Sequence, residues 1–101
     1  MSPRVPVSTE AVAEICRRYQ VRKLSLFGSV LRDDFGPTSD VDVLVEFQPS
    51  ARVGLFKLQD LEDELSRVLG GRRIEVSTPS SLSRYFRDQV LSEAEVQYEQ
   101  A

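Results

Sequence analysis

The chain has 101 residues, 41% of them hydrophobic and 29% charged, and a net charge of −3. That is length for one small domain with a thin core, burying about 60–70% of the surface its unfolded chain exposes, and its composition excludes disorder, collagen and coiled coil. The acidic balance lacks the basic excess with which proteins grip nucleic-acid phosphates, and no apolar run approaches the roughly 18 residues of a membrane span.

Side-chain inventory narrows the chemistry. There is no histidine, which excludes a Ser-His or Cys-His pair and a histidine-bearing zinc site. Cys16 is the only cysteine, so no intramolecular disulfide forms. The start lacks a basic-then-apolar signal pattern, and the expected location is cytoplasmic. The basic groups Arg17-Arg18 with Arg22-Lys23, and Arg72-Arg73, are short and read as solvated faces.

Residues 1–8, with two prolines, read as a flexible lead-in to one domain over 9–98. Ser8 or Thr9 caps a helix near 9–19, whose apolar stripe is Val12, Ile15, Cys16 and Tyr19. On that stripe Cys16 reads as a small buried hydrophobe. A first strand runs from Lys23 to Phe27 and stops at Gly28, and a single helical turn is expected over 29–33. After a turn at 35–39 comes the second strand, Val41 to Phe47. Its valines and Phe47 face one way, and Asp40, Asp42, Leu44 and Glu46 the other.

A helix over 54–69 presents Leu55, Leu58, Leu61, Leu65, Val68 and Leu69 and stops at Gly70-Gly71, with Phe56 off the stripe. A third strand, Arg72 to Ser77, turns Ile74 and Val76 to one face and Glu75 to the other. Thr78-Pro79 then looks like a cap and first turn of a helix buried through Leu82, Tyr85 and Phe86. The tail is ambiguous. Ser92-Glu93-Ala94-Glu95 fits a capping box, and Glu95 to Tyr98 alternates like a strand.

Chemistry concentrates between Gly28 and Asp42. Two aspartates at i, i+2 on a strand lie about 6.6–6.8 Å apart on one face. Asp40 and Asp42 can therefore converge on one small volume, where a cation relieves their repulsion; Mg²⁺ takes one or two carboxylates plus substrate phosphates. Gly28 lets backbone amides approach an anion, and the Ser29 hydroxyl adds a donor. Arg32 can reach a phosphate or hold Asp34 or Asp40, and Ser39 can cap the turn or touch phosphate.

The pattern Gly28-Ser29-x-x-Arg32-x-Asp34-x4-Ser39-Asp40-x-Asp42, followed by Val43-Leu44-Val45, resembles the minimal nucleotidyltransferase family, whose core is DNA polymerase β-like. The likeness extends over roughly 9–98, through Ile74-Glu75-Val76 and Arg87-Asp88-Gln89-Val90-Leu91. It implies an α/β (α+β) fold, a small mixed β-sheet with helices packed mainly on one face. It further implies that Asp40, Asp42 and Glu75 are catalytic and hold one or two Mg²⁺ ions, and that Gly28, Ser29, Arg32 and Ser39 bind ATP. Two positions depart from the family's pattern: Glu75 stands where an aspartate is usual, and Asp33 where glycine is common.

Small members of this family resemble antitoxins that transfer AMP from ATP to a tyrosine hydroxyl of a HEPN-type helical toxin. The resemblance thus implies such a partner, and a homo- or hetero-oligomer; the acidic charge argues against direct nucleic-acid binding, and the lack of a long apolar run against a membrane span. The competing expectations are a catalytically impaired protein that neutralises its partner by binding, with activity reduced or absent through the longer Glu75, and a nucleotide-sensing regulatory subunit.

Overall fold

A computed structural model describes residues 8–31 and 40–100. Arg32, Asp33, Asp34 and Ser39 lie outside the described residues, as does the lead-in before Ser8. Helix α1, Thr9–Arg18, begins where the Ser8 hydroxyl accepts from the Ala11 amide at 3.4 Å. It ends at Tyr19, and Gln20, with φ of +59°, turns the chain into strand β1, Val21–Phe27. A short 3-10 turn, Gly28–Leu31, follows. Strand β2, Val41–Phe47, has the bounds that alternation predicts.

Helix α2, Leu55–Val68, ends in a Schellman-type turn: Gly70 and Gly71 both have positive φ, and the Gly71 amide donates back to the Ser66 carbonyl at 2.7 Å. Strand β3, Ile74–Ser77, a 3-10 turn, Pro79–Ser81, helix α3, Arg84–Glu93, and strand β4, Glu95–Glu99, complete the order. The sheet runs β3-β2-β1-β4, antiparallel except for the parallel pair β2/β3. Helix α2 is the crossover that a parallel pair requires.

Alternation gives the sheet two unlike faces. Leu24, Leu26, Val41, Val43, Val45 and Ile74 enter one core with Val12, Ile15 and Cys16 of α1 and Leu61 and Leu65 of α2. The opposite face carries cross-strand rows: Glu75, Asp42 and Phe27 in one, Ser77, Leu44, Ser25 and Val96 in the next. The two helices are tied by Glu64. Its carboxylate accepts two bonds from the Arg18 guanidinium, at 2.6 and 3.1 Å, and a third from the Tyr19 hydroxyl. These bonds hold the Glu64 carboxyl below its usual range and push the Tyr19 hydroxyl up to about 12. Arg22 pairs with Glu46 at 2.7 Å, so these arginines are engaged within the fold.

Several expectations are corrected. Strand β1 begins at Val21, because the chain turns at Gln20 and pairs at once with Phe47. Strand β3 starts at Ile74, two residues later than expected. The segment after Thr78-Pro79 is a closed 3-10 turn, capped by reciprocal Thr78 and Ser81 bonds, and the true helix starts after a second cap, Ser83. That helix is not buried through Tyr85 and Phe86, which are 80% and 61% exposed. Leu55, expected on the apolar face of α2, is exposed as well, and Phe56, off that stripe, is exposed as expected. The ambiguous tail is a strand, paired antiparallel with β1.

Candidate active site

The site grows from the end of β1 and the start of β2. Gly28 has φ of +77°, which an L side chain rarely adopts. Its missing Cβ also leaves room for Asp42: a methyl there would overlap Asp42 Oδ2, lie 3.3 Å from Asp42 Cγ, and make that carboxylate shift. The Asp42 carboxylate thus lies directly against the Gly28 backbone. Asp40, half-buried, precedes the first residue of β2 and shares the Asp42 face by alternation.

Strand β3 adds the third carboxylate position. Asp42 and Glu75 are register partners in the parallel pair, so their side chains leave the same face of strands about 4.8 Å apart. Glu75 is exposed. Among the described residues no three acidic or thiol side chains gather closely enough to hold a metal ion. The structure therefore brings Asp42 to Gly28 and Glu75 into register with Asp42, without closing a three-carboxylate cluster. As donors, the half-buried pair Asp40 and Asp42 fits a hard cation that draws its other ligands from phosphate. Ser29 lies in the turn after Gly28.

Two supporting residues were not singled out from sequence. Glu62 on α2 accepts a bond from the Val76 amide at 3.0 Å, occupying the outer edge of β3 one residue from Glu75. Arg87 on α3 donates to the carbonyls of Pro79 and Leu82, at 2.8 and 3.1 Å, and so pins the chain after β3. No local pattern announces Glu62, one acid among several on its helix. Arg87 lies in the run that carried the family likeness.

The family profile for the nucleotidyltransferase domain matches residues 9–96. The chain belongs to that family. Within it, the chain is 36% identical over 83 residues to a Methanocaldococcus jannaschii protein provisionally named a protein adenylyltransferase, covering 82% of this chain and 86% of the relative. It is 38% identical over 82 residues to the protein adenylyltransferase MntA of Thermococcus cleftensis, covering 79% and 78%. A solved structure described as a minimal nucleotidyltransferase superposes with a TM-score of 0.70 at 34% identity, covering 85% of each chain.

More distant structures share the fold. A toxin–antitoxin complex with AMP-PNP gives a TM-score of 0.71 at 17% identity, covering 93% of this chain and 75% of that one. A complex of a tri-AMPylated Shewanella oneidensis HEPN toxin with its MNT antitoxin gives 0.61 at 16%, covering 91% and 70%. The expected mixed sheet of a minimal nucleotidyltransferase is what the chain forms. No helix among the described residues is long and apolar enough to cross a membrane.

Proposed function

We propose that residues 9–98 form a metal-dependent protein adenylyltransferase that moves AMP from ATP to a tyrosine hydroxyl of a HEPN-type partner and thereby acts as an antitoxin. The observation that carries this reading is the contact of the Asp42 carboxylate with the Gly28 backbone. It puts a carboxylate and a phosphate-approachable turn side by side, with Glu75 in register. The adenylyltransferase names of relatives covered over most of their length support the reaction, and the HEPN complexes of the same fold support the partner.

In this reading the Gly28-Ser29 turn holds the nucleotide's phosphates, with Arg32 and Ser39 as further phosphate contacts. The acceptor oxygen forms a bond to the α-phosphorus, the bond from that phosphorus to the β-phosphate bridging oxygen breaks, and pyrophosphate leaves. The hydroxyl proton passes to Glu75 or to water. Asp40 and Asp42, joined by Glu75, would hold Mg²⁺, which when bound offsets phosphate charge and stabilises the entering and leaving oxygens. The protein's contribution is position and charge rather than covalent catalysis.

Co-expression with the partner, followed by incubation with ATP and Mg²⁺ and intact-mass measurement, tests the reading. The expected result is a partner heavier by whole AMP units, abolished when Asp40 and Asp42 are both changed to alanine. A second reading, neutralisation by binding alone, draws on the exposed Glu75 and the unclosed carboxylate cluster. It predicts partner inhibition with no gain in mass, and that result would displace the first reading.

A further inference from the structure

Helix α3 has an exposed aromatic residue that the fold does not use. Phe86 is 61% exposed, yet it is no isolated surface ring. With Gln89, Val90 and Glu93 of the same helix it forms one wall of a cleft of about 310 Å³, whose other wall is Phe27 and Gly28. A second cleft, of about 570 Å³, shares Gly28 and Glu93 with the first and continues past Leu31, Ala94 and Glu95. Both volumes lie in the range of small-molecule sites, about 300–1,000 Å³. Gly28 stands at their junction, and it is also the residue against which Asp42 packs.

Charge orients an occupant. Glu93 and Glu95 repel a polyphosphate, whereas at the Gly28 turn the cation proposed on Asp40 and Asp42 would offset their repulsion, so the phosphates belong at that turn and the uncharged base along α3. The chemistry of that wall then selects among bases. The Gln89 amide nitrogen donates to Glu93 Oε1 at 3.4 Å. An ionised carboxylate only accepts, so Glu93 fixes which end of the amide it faces. Gln89 keeps its carbonyl oxygen as an acceptor and a second N–H as a donor. That is the pair that matches the exocyclic amine and N7 of adenine. Guanine offers two acceptors at the same positions and leaves the Gln89 carbonyl opposed to its O6.

We propose that α3 is the base-reading wall of the nucleotide site, with Phe86 as the stacking platform and Gln89, oriented by Glu93, selecting adenine over guanine. This rests on the proposed function, which seats the phosphates at Gly28. Base stacking on an aromatic ring, and a two-bond match to a base edge, are each worth about tenfold in affinity.

The test is titration calorimetry of the full chain with ATP, GTP and inorganic triphosphate in Mg²⁺, for wild type, Phe86→Ala, Gln89→Ala and Glu93→Gln, each checked for folding by circular dichroism. The expected wild type favours ATP over GTP by about tenfold. Phe86→Ala weakens both nucleotides by about tenfold and leaves triphosphate unchanged. Gln89→Ala and Glu93→Gln bring the ATP/GTP ratio close to one. An unchanged ratio and unchanged nucleotide affinity in these variants, with triphosphate still bound, overturns the base-reading wall and leaves the proposed function standing. Failure of wild type to bind ATP and triphosphate alike overturns both. If Phe86→Ala binds nucleotide normally but no longer modifies the partner, Phe86 is a protein contact and the inference is wrong.

Discussion

Replacing Gly28 with alanine separates two costs that the structure makes distinct. The first is conformational: φ of +77° costs a residue with a Cβ about 1–2 kcal/mol. The second is steric, because the new methyl overlaps the Asp42 carboxylate. That carboxylate must rotate away, and a displaced side-chain torsion costs about 0.5–1.5 kcal/mol. Together they amount to about 1.5–3.5 kcal/mol, or a fall in melting temperature of about 6–28 °C for a domain of this size. Gly70→Ala is the internal control, since Gly70 has φ of +86° and nothing within 4 Å of a built Cβ. It carries the conformational cost alone, about 1–2 kcal/mol. Thermal unfolding and AMP transfer are the two assays. Gly28→Ala should lose on the order of 10²-fold in transfer through misplacement of Asp42, and Gly70→Ala should transfer normally at a temperature where it is folded. If Gly28→Ala is no less stable than Gly70→Ala and transfers AMP at the wild-type rate, the role given to the Gly28–Asp42 contact is refuted.

Other consequences are open to measurement. Leu65→Ala removes a side chain with no solvent exposure from the interface of α2 with the sheet and should cost about 2–5 kcal/mol in denaturant unfolding. Glu62→Ala leaves the Val76 amide on an open strand edge; a loss of about 1 kcal/mol is expected, with faster amide exchange at Val76 than at Val43. Burial pushes the Cys16 thiol up from 9.0 to about 12, and the Glu64 bond, with burial, pushes the Tyr19 hydroxyl up from 10.0 to about 12. Both groups hold their protons more tightly when folded. Their stabilising contribution is complete below about pH 9 and is lost as pH rises toward 12. Melting temperature should therefore fall through that window, and iodoacetamide should label Cys16 at pH 8 only in unfolding concentrations of urea.

How far the sequence carried the fold depended on how local each determinant was. Strand β2 was legible to the residue, because alternating valines, the flanking Asp40 and the terminating Pro49 all act within a few positions. Helix α1 was equally plain, its cap and stripe being local. The exposure of helix α3 is not legible in the sequence, because periodicity places Tyr85 and Phe86 on one stripe but does not say whether anything lies opposite that stripe. The ends of β1 and β3 depend on where a partner strand begins, which is not written beside them. In the site, spacing alone puts Asp40 and Asp42 on one face at the start of β2. The seat of Asp42 on Gly28 joins residues 14 positions apart in sequence, and the Glu62 bond to Val76 joins residues on different elements. The motif contains both residues of the first but does not show that they touch, and no local window contains the second.

Strand β3 has only four residues and a single neighbour in the sheet. It is the shortest of the four strands, pairs through four register positions as the other edge strand, β4, does, and carries Glu75. Its fraying would remove Glu75 from register while β1, β2 and the seat of Asp42 on Gly28 stay intact. Heating should then silence the protein before it melts: transfer would fail at a temperature where the far-ultraviolet spectrum is still native, and return on cooling. On the proposed role of Glu75, the working range would be narrower than the folded range, with the gap set by one short edge strand.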